Sequence, residues 1–163
     1  MTVCIRCRHP DTASRTGPTQ ATEIHVQPFH LESITAGADC AVLRIGGEVD
    51  GYTAPQLRER VIQLLGHGAR HIIADLREVE FLDSTGLGAL VGSLKRLREQ
   101  DGSLKLVTAA DKILTIFRLT GLVHVFALHS SFPEAIAGDQ HWQAALACEG
   151  RSTGEWCREH ELL

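Results

Sequence analysis

The strongest constraint on the fold is the alternation of short apolar runs with amphipathic helical segments along most of the chain. Three runs have the length and composition of buried strands, at residues 40–45, 71–76 and 104–107. Between them apolar side chains recur at helical spacing, in two stripes: Leu57, Val61, Leu64 and Leu65, and then Leu87, Leu90, Val91, Leu94 and Leu97. Strands that alternate with single helices require parallel pairing and right-handed crossovers. We therefore expect an α/β fold.

Further elements flank this alternation. Spaced apolar residues indicate a first strand at 24–29, and the turn at 36–39 pairs it with the strand at 40–45 as a hairpin. Residues 123–128 indicate a last strand, and a helix begins at Ser131. The expected architecture is a mixed sheet of about five strands with a leading hairpin and about four to five helices.

The same pattern divides the chain into three parts. Residues 1–21 are rich in Thr, Ser, Pro and Arg and show no periodicity, so we expect a flexible N-terminal tail. Residues 22–140 are predicted to form the domain. Residues 141–163 are a C-terminal extension, in which Trp142 and Trp156 either pack a further helix onto the core or contact a partner.

Composition narrows the class of protein. A net charge of −4 provides no basic surface for a nucleic-acid backbone, so direct DNA or RNA binding is not expected. No apolar run approaches the ~18–20 residues of a membrane-spanning helix, and the start of the chain has no stretch suited to a secretion signal. Five cysteines without the spacing of a disulfide scaffold fit a reducing compartment. We expect a cytoplasmic protein with free thiols and no membrane insertion.

A polar turn between a strand and a helix carries the most informative residues. Asp83, Ser84 and Thr85 are residue types that cap helices by accepting hydrogen bonds from the first free N–H groups, and this is the purely structural interpretation. The same helix N-terminus would also tolerate a phosphate on Ser84. Phosphorylation would add about −1.5 to −2 charge at pH 7 beside Asp83 and repel a partner docked on the turn.

Two segments resemble the anti-sigma-factor-antagonist branch of the STAS family: residues 46–61 (GGEVDGYTAPQLRERV) and residues 75–107 (DLREVEFLDSTGLGALVGSLKRLREQDGSLKLV). The resemblance covers roughly residues 23–138 and implies the STAS fold. In that family the serine directly after the Asp of a D-S-[ST]-G turn is phosphorylated. The matching residue is Ser84, and Thr85 is a lesser candidate.

The resemblance also implies a partner-binding surface around this turn. Asp50 matches an acidic residue on the neighbouring loop, although it could serve only as a turn former before a helix capped by Thr53. The residues expected to contact the partner are Glu48, Asp50, Asp83, Ser84, Thr85 and Gly86.

By the same resemblance, the mechanism is partner switching in the regulation of transcription, including stress responses. The unphosphorylated protein binds an anti-sigma factor that is also a serine kinase of the histidine-kinase-like (GHKL) ATPase class, and a sigma factor is released. Phosphorylation at Ser84 ends that binding, and a serine phosphatase of the PP2C type restores it. ATP belongs to the kinase, because this chain has no G-x-x-x-x-G-K-[ST] loop. We expect no cofactor and no enzymatic activity.

Two other functions are compatible with parts of the sequence. STAS domains also serve as accessory subunits of transporters and lipid-transport ATPases, which need no phosphorylatable hydroxyl on the turn. A hydrolase with Ser84 as nucleophile would need a neighbouring base and an oxyanion site, and the flanking residues do not form the G-x-S-x-G elbow.

A zinc site between the two ends of the chain is not expected. Cys4, Cys7 and His9 could join Cys157 and His160, but structural zinc ligands usually come in pairs held on adjacent turns. These two groups lie at opposite ends of the sequence. We therefore predict no metal site.

Overall fold

A five-stranded sheet forms the centre of the computed structural model, which describes residues 27–163. The strands are β1 (His30–Ala36), β2 (Cys40–Val49), β3 (His71–Leu82), β4 (Ser103–Val107) and β5 (Ala127–His129). They lie in the order of the sequence; β1 and β2 form an antiparallel hairpin and the other neighbours pair in parallel. The predicted α/β class, the mixed sheet and the leading hairpin are confirmed.

Within residues 27–163, six α-helices connect and cover the strands. They are α1 (Ala54–Gly66), α2 (Ser84–Arg98), α3 (Asp111–Leu119), α4 (Phe132–Ala137), α5 (Gln140–Cys148) and α6 (Thr153–Glu159). In the part of the chain that the structure describes, no helix is long and apolar enough to cross a membrane.

Both faces of the sheet are buried, as consecutive residues of β2 show. Leu43 belongs to the core on one face and Val42 to the core on the other, because neighbouring side chains of a strand point to opposite sides. The first core is filled by the apolar stripes of α1, α2 and α3, and the second by α4, α5 and α6. Trp142 and Trp156 are each 1% exposed within the second core, so the C-terminal helices pack onto the sheet.

The first and last strands differ from the predictions. Residues 24 and 26 and the predicted tail at 1–21 lie outside the described residues, and β1 begins after Phe29, at His30. The last strand is shorter than residues 123–128. Gly121, with φ of +73°, ends α3 and leads into a 3-10 turn (Leu122–His124), so only Ala127–His129 can pair with β4.

Strands β2 and β3 both continue beyond the predicted ends at residues 45 and 76. Register shifts in β2 accompany this extension, and the paired strands end together at Val49 and Leu82. This shared end positions the functional site, because the loops that follow the two strands must lie side by side.

Candidate functional site

The ends of two parallel strands bring the predicted site residues together. Val49 and Leu82 are register partners, and the Asp83 N–H donates to the Val49 carbonyl at 3.2 Å. Asp50 and Asp83 therefore begin two adjacent loops. The sequence-predicted residues from both segments share one end of the sheet.

Asp83, and not Ser84, is the cap of α2. Its backbone is extended, and its Oδ1 accepts a hydrogen bond from the Gly86 N–H at 2.8 Å. Ser84 and Thr85 are the first two residues of the helix, and both are exposed. Among the described residues, none makes a hydrogen bond to the Ser84 hydroxyl. This hydroxyl is therefore open to modification while the helix remains capped.

Asp50 organises the neighbouring loop. Its Oδ1 accepts hydrogen bonds from the N–H groups of Tyr52 at 2.9 Å and Thr53 at 3.1 Å, the geometry of an Asx turn. The predicted turn-forming role is thus present, and it leaves the second carboxylate oxygen free of those bonds. Contact between Asp50 and a partner stays a prediction.

Thr53 occupies the N-cap position of α1, but its side chain does not cap the helix. Its hydroxyl donates to the Glu48 carbonyl at 3.0 Å and accepts from the Asp50 N–H at 2.9 Å. The hydroxyl is therefore engaged on the preceding loop, and Thr53 ties that loop to the end of β2.

Gly86 permits the close approach of α2 to the strand ends. A Cβ atom at this position would lie 2.7 Å from the Val49 carbonyl oxygen and 2.8 Å from a side-chain carbon of Leu82. Gly86 is buried, so its role in the structure is packing. Glu48, near the end of β2, is half-buried and pairs in register with Phe81.

Two exposed aromatic residues flank the site and were missed by the sequence analysis. Tyr52, on the Asp50 loop, is 90% exposed, and Phe81, two residues before the cap Asp83, is 49% exposed. Aromatic residues are enriched at protein–protein contacts. The sequence signal that could have indicated them is an aromatic residue within a polar loop and a second one at the end of a strand.

Ser84 lacks the surroundings of a catalytic nucleophile. Within residues 27–163, no imidazole or carboxylate makes a hydrogen bond with its hydroxyl, whereas an activated serine needs a base at about 2.6–3.2 Å.

Two residues of the zinc set that was not expected, Cys157 and His160, lie in α6 and at its C-cap. Cys157 is fully buried, and burial raises the pKa of its thiol. The His160 ring packs against Trp156 with ring centroids 4.7 Å apart. Cys4, Cys7 and His9 lie outside the described residues.

Comparisons with known proteins find relatives in sequence and in fold. A model of the STAS domain matches residues 33–135. The chain is 44% identical over 80 residues to the anti-sigma-B factor antagonist of Bacillus subtilis (strain 168), across 49% of this chain and 72% of that protein. An anti-sigma factor antagonist from Mycobacterium paratuberculosis is similar in structure, with a TM-score of 0.61 at 24% identity over 68% of this chain and 92% of that one. SpoIIAA, a Bacillus cell fate determinant solved in its phosphorylated form, has a TM-score of 0.52 at 25% identity, over 68% of this chain and 97% of that one.

Proposed function

Because the chain belongs to the STAS domain family, we propose that it is an anti-sigma factor antagonist controlled by phosphorylation at Ser84. It binds an anti-sigma factor of the histidine-kinase-like serine kinase class and thereby releases a sigma factor. It acts in the cytoplasm by binding and not by catalysis. The name of the Bacillus subtilis relative supports the class of partner, and the phosphorylated form of SpoIIAA supports this kind of switch.

The observation that carries the proposal is the exposed, uncommitted hydroxyl of Ser84 on a helix that Asp83 already caps. A phosphate there needs no rearrangement of the turn, because it lies at the positive end of α2 and replaces no existing contact. Phosphorylation therefore changes the surface and not the fold. Thr85 is also exposed but one residue further into the helix, and it is the secondary candidate.

The surroundings of Ser84 explain how a phosphate would release a partner. The partner is expected to cover Tyr52, on the Asp50 loop, and Phe81, near the end of β3, whose rings are both exposed at this end of the sheet. Asp50 and Asp83 already give the surface negative charge. Adding about −1.5 to −2 charge at its centre opposes docking by repulsion and by the cost of removing water from the phosphate.

The kinase step is tested by incubating the full chain with the anti-sigma kinase from its own cells and ATP, followed by peptide mass spectrometry. One phosphate on Ser84 is expected. Ser84→Ala should accept none, and Thr85→Ala, which removes the neighbouring hydroxyl, should be phosphorylated like the unmodified chain. Two results would contradict the proposal. One is phosphate on Thr85 in the chain without substitutions. The other is a chain that no kinase phosphorylates and that co-purifies with transporter ATPase subunits. A PP2C-type phosphatase should remove the phosphate from Ser84.

A further inference from the structure

Three side chains with metal-binding donor atoms meet at the end of the sheet opposite to Ser84. Asp39 lies in the hairpin turn before β2, His71 is the first residue of β3, and His141 lies in the first turn of α5. One donor atom from each lies within 4.8 Å of the other two. The three residues are distant in sequence, so only the folded chain brings them together.

We propose that Asp39, His71 and His141 bind a zinc ion, and that this ion fastens α5 to the end of the sheet where β3 begins. Two imidazole nitrogens and a carboxylate oxygen are donors that zinc accepts, and three protein ligands leave one position for water. Zinc–nitrogen bonds of about 2.0–2.1 Å set the donors roughly 3.3 Å apart. The donor atoms must therefore move closer together when zinc binds. His141 is exposed, and rotation of its side chain would bring its ring nitrogen closer to the other two donors.

His71 has the environment of a metal ligand. It is 5% exposed, and its ring stacks on that of His141 with centroids 3.7 Å apart. Its Nδ1 lies 2.9 Å from the Ser103 hydroxyl oxygen. When Nδ1 donates this hydrogen bond, Nε2 keeps its lone pair for a metal, the usual arrangement of an oriented ligand.

The backbone holds the other two ligands in place. The Asp39 carbonyl accepts hydrogen bonds from the N–H groups of Arg70 at 2.7 Å and His71 at 3.0 Å. The His141 N–H donates to the carboxylate of Asp139, the cap of α5, at 3.0 Å. On zinc binding, the donor atoms are therefore expected to come together by side-chain rotation while the backbone stays in place.

Other nearby groups are unsuited to complete the set. The carboxylate of Asp139 is paired with Lys105 at 2.9 Å. The sulfur of Cys40 does not belong to the set of donor atoms that lie within 4.8 Å of one another. The site consists of the two histidines and Asp39.

Zinc binding is tested by isothermal titration calorimetry on the untagged full chain carrying Cys4→Ser and Cys7→Ser, because those two thiols could bind zinc independently. This parent variant is expected to bind one zinc ion. Its melting temperature should rise on the order of 5 °C at zinc a hundredfold above Kd. Absence of zinc binding to the parent overturns the proposal.

Surface variants locate the ion without disturbing the buried His71. His141→Ala and Asp39→Asn should each weaken zinc binding more than about tenfold, since even loss of an outer partner costs 10–100-fold. His124→Ala removes an exposed histidine elsewhere and should bind zinc like the parent. Equal affinity of the parent and His141→Ala would overturn the assignment.

Hydrogen–deuterium exchange tests whether the zinc ion fastens α5 to the sheet. Zinc should slow hydrogen–deuterium exchange of the α5 amides in the parent but not in His141→Ala. Unchanged exchange with zinc bound would contradict this part of the proposal. Residues 71 and 82 stand at opposite ends of β3, on the order of 35 Å apart. Phosphorylation of Ser84 should therefore be the same with and without zinc, and the two proposals fail or hold separately.

Discussion

Two glycines of α2 make a matched pair for testing how the site is held together. An added methyl group at Gly86 would stand 2.7 Å from the Val49 carbonyl oxygen, about 0.7 Å short of the 3.4 Å at which ordinary contact begins. At Gly88, on the exposed side of the same helix, nothing lies within 4 Å of the added group. Gly86→Ala must push the helix start away from the strand end, whereas Gly88→Ala meets no obstacle.

The two substitutions are expected to change the free energy of unfolding differently. Alanine is favoured over glycine inside a helix by about 0.8–1 kcal/mol, so Gly88→Ala should raise the free energy of unfolding by that amount. Gly86→Ala has a similar helical gain but also the strain of overpacking, about 1–3 kcal/mol. The difference between the two variants therefore isolates the steric cost.

Urea unfolding, monitored by far-ultraviolet circular dichroism, measures the free energy of unfolding of each variant. Gly86→Ala should be less stable than Gly88→Ala by about 1–3 kcal/mol. It should also bind the anti-sigma partner more weakly, because displacement of the helix start moves Ser84 relative to the Asp50 loop. Equal stabilities would refute the packing role assigned to Gly86.

Four further predictions concern individual side chains. Trp156→Ala should lower the free energy of unfolding by about 3–5 kcal/mol in urea titrations, because the indole is fully buried. A loss below about 1 kcal/mol would contradict the packing of the C-terminal helices onto the sheet. Asp83→Ala should cost about 0.5–2 kcal/mol in the same assay by removing the α2 cap, and an unchanged midpoint would contradict that role. Iodoacetamide at about pH 8 should modify exposed Cys148 and spare Cys40, whose pKa is raised to about 12; equal labelling rates would contradict this. Cys40 should also make the protein less stable above pH ~9, because only the unfolded thiol ionises there, and Cys40→Ala should reduce this loss.

Local sequence patterns were sufficient to predict the class of fold and the position of the Ser84 turn. The hydrophobic stripes of α1 and α2 and the apolar runs of the central strands have clear periodicity, and a polar turn between strand and helix is evident from residues 81–87. Boundaries were less predictable. Thr53 is a residue type that often caps helices, yet its hydroxyl binds the backbone of the preceding segment instead. Tertiary contacts determine which of these hydrogen bonds forms.

Features made by contacts between distant segments could not be predicted. Asp39, His71 and His141 meet only because the hairpin turn, the start of β3 and the start of α5 lie at the same end of the sheet. The exposure of Tyr52 and Phe81 likewise depends on how the loop after β2 and the end of β3 lie beside each other. Such groupings follow from sheet register and helix docking, which sequence periodicity does not specify.

The central claim is tested most directly by the affinity of this chain for its anti-sigma kinase, measured by calorimetry with and without a phosphate on Ser84. The unphosphorylated chain and Ser84→Ala should both bind. The phosphorylated chain should bind more than about tenfold more weakly, a loss of at least ~1.4 kcal/mol. Equal affinities of the phosphorylated and unphosphorylated chains would contradict the switch.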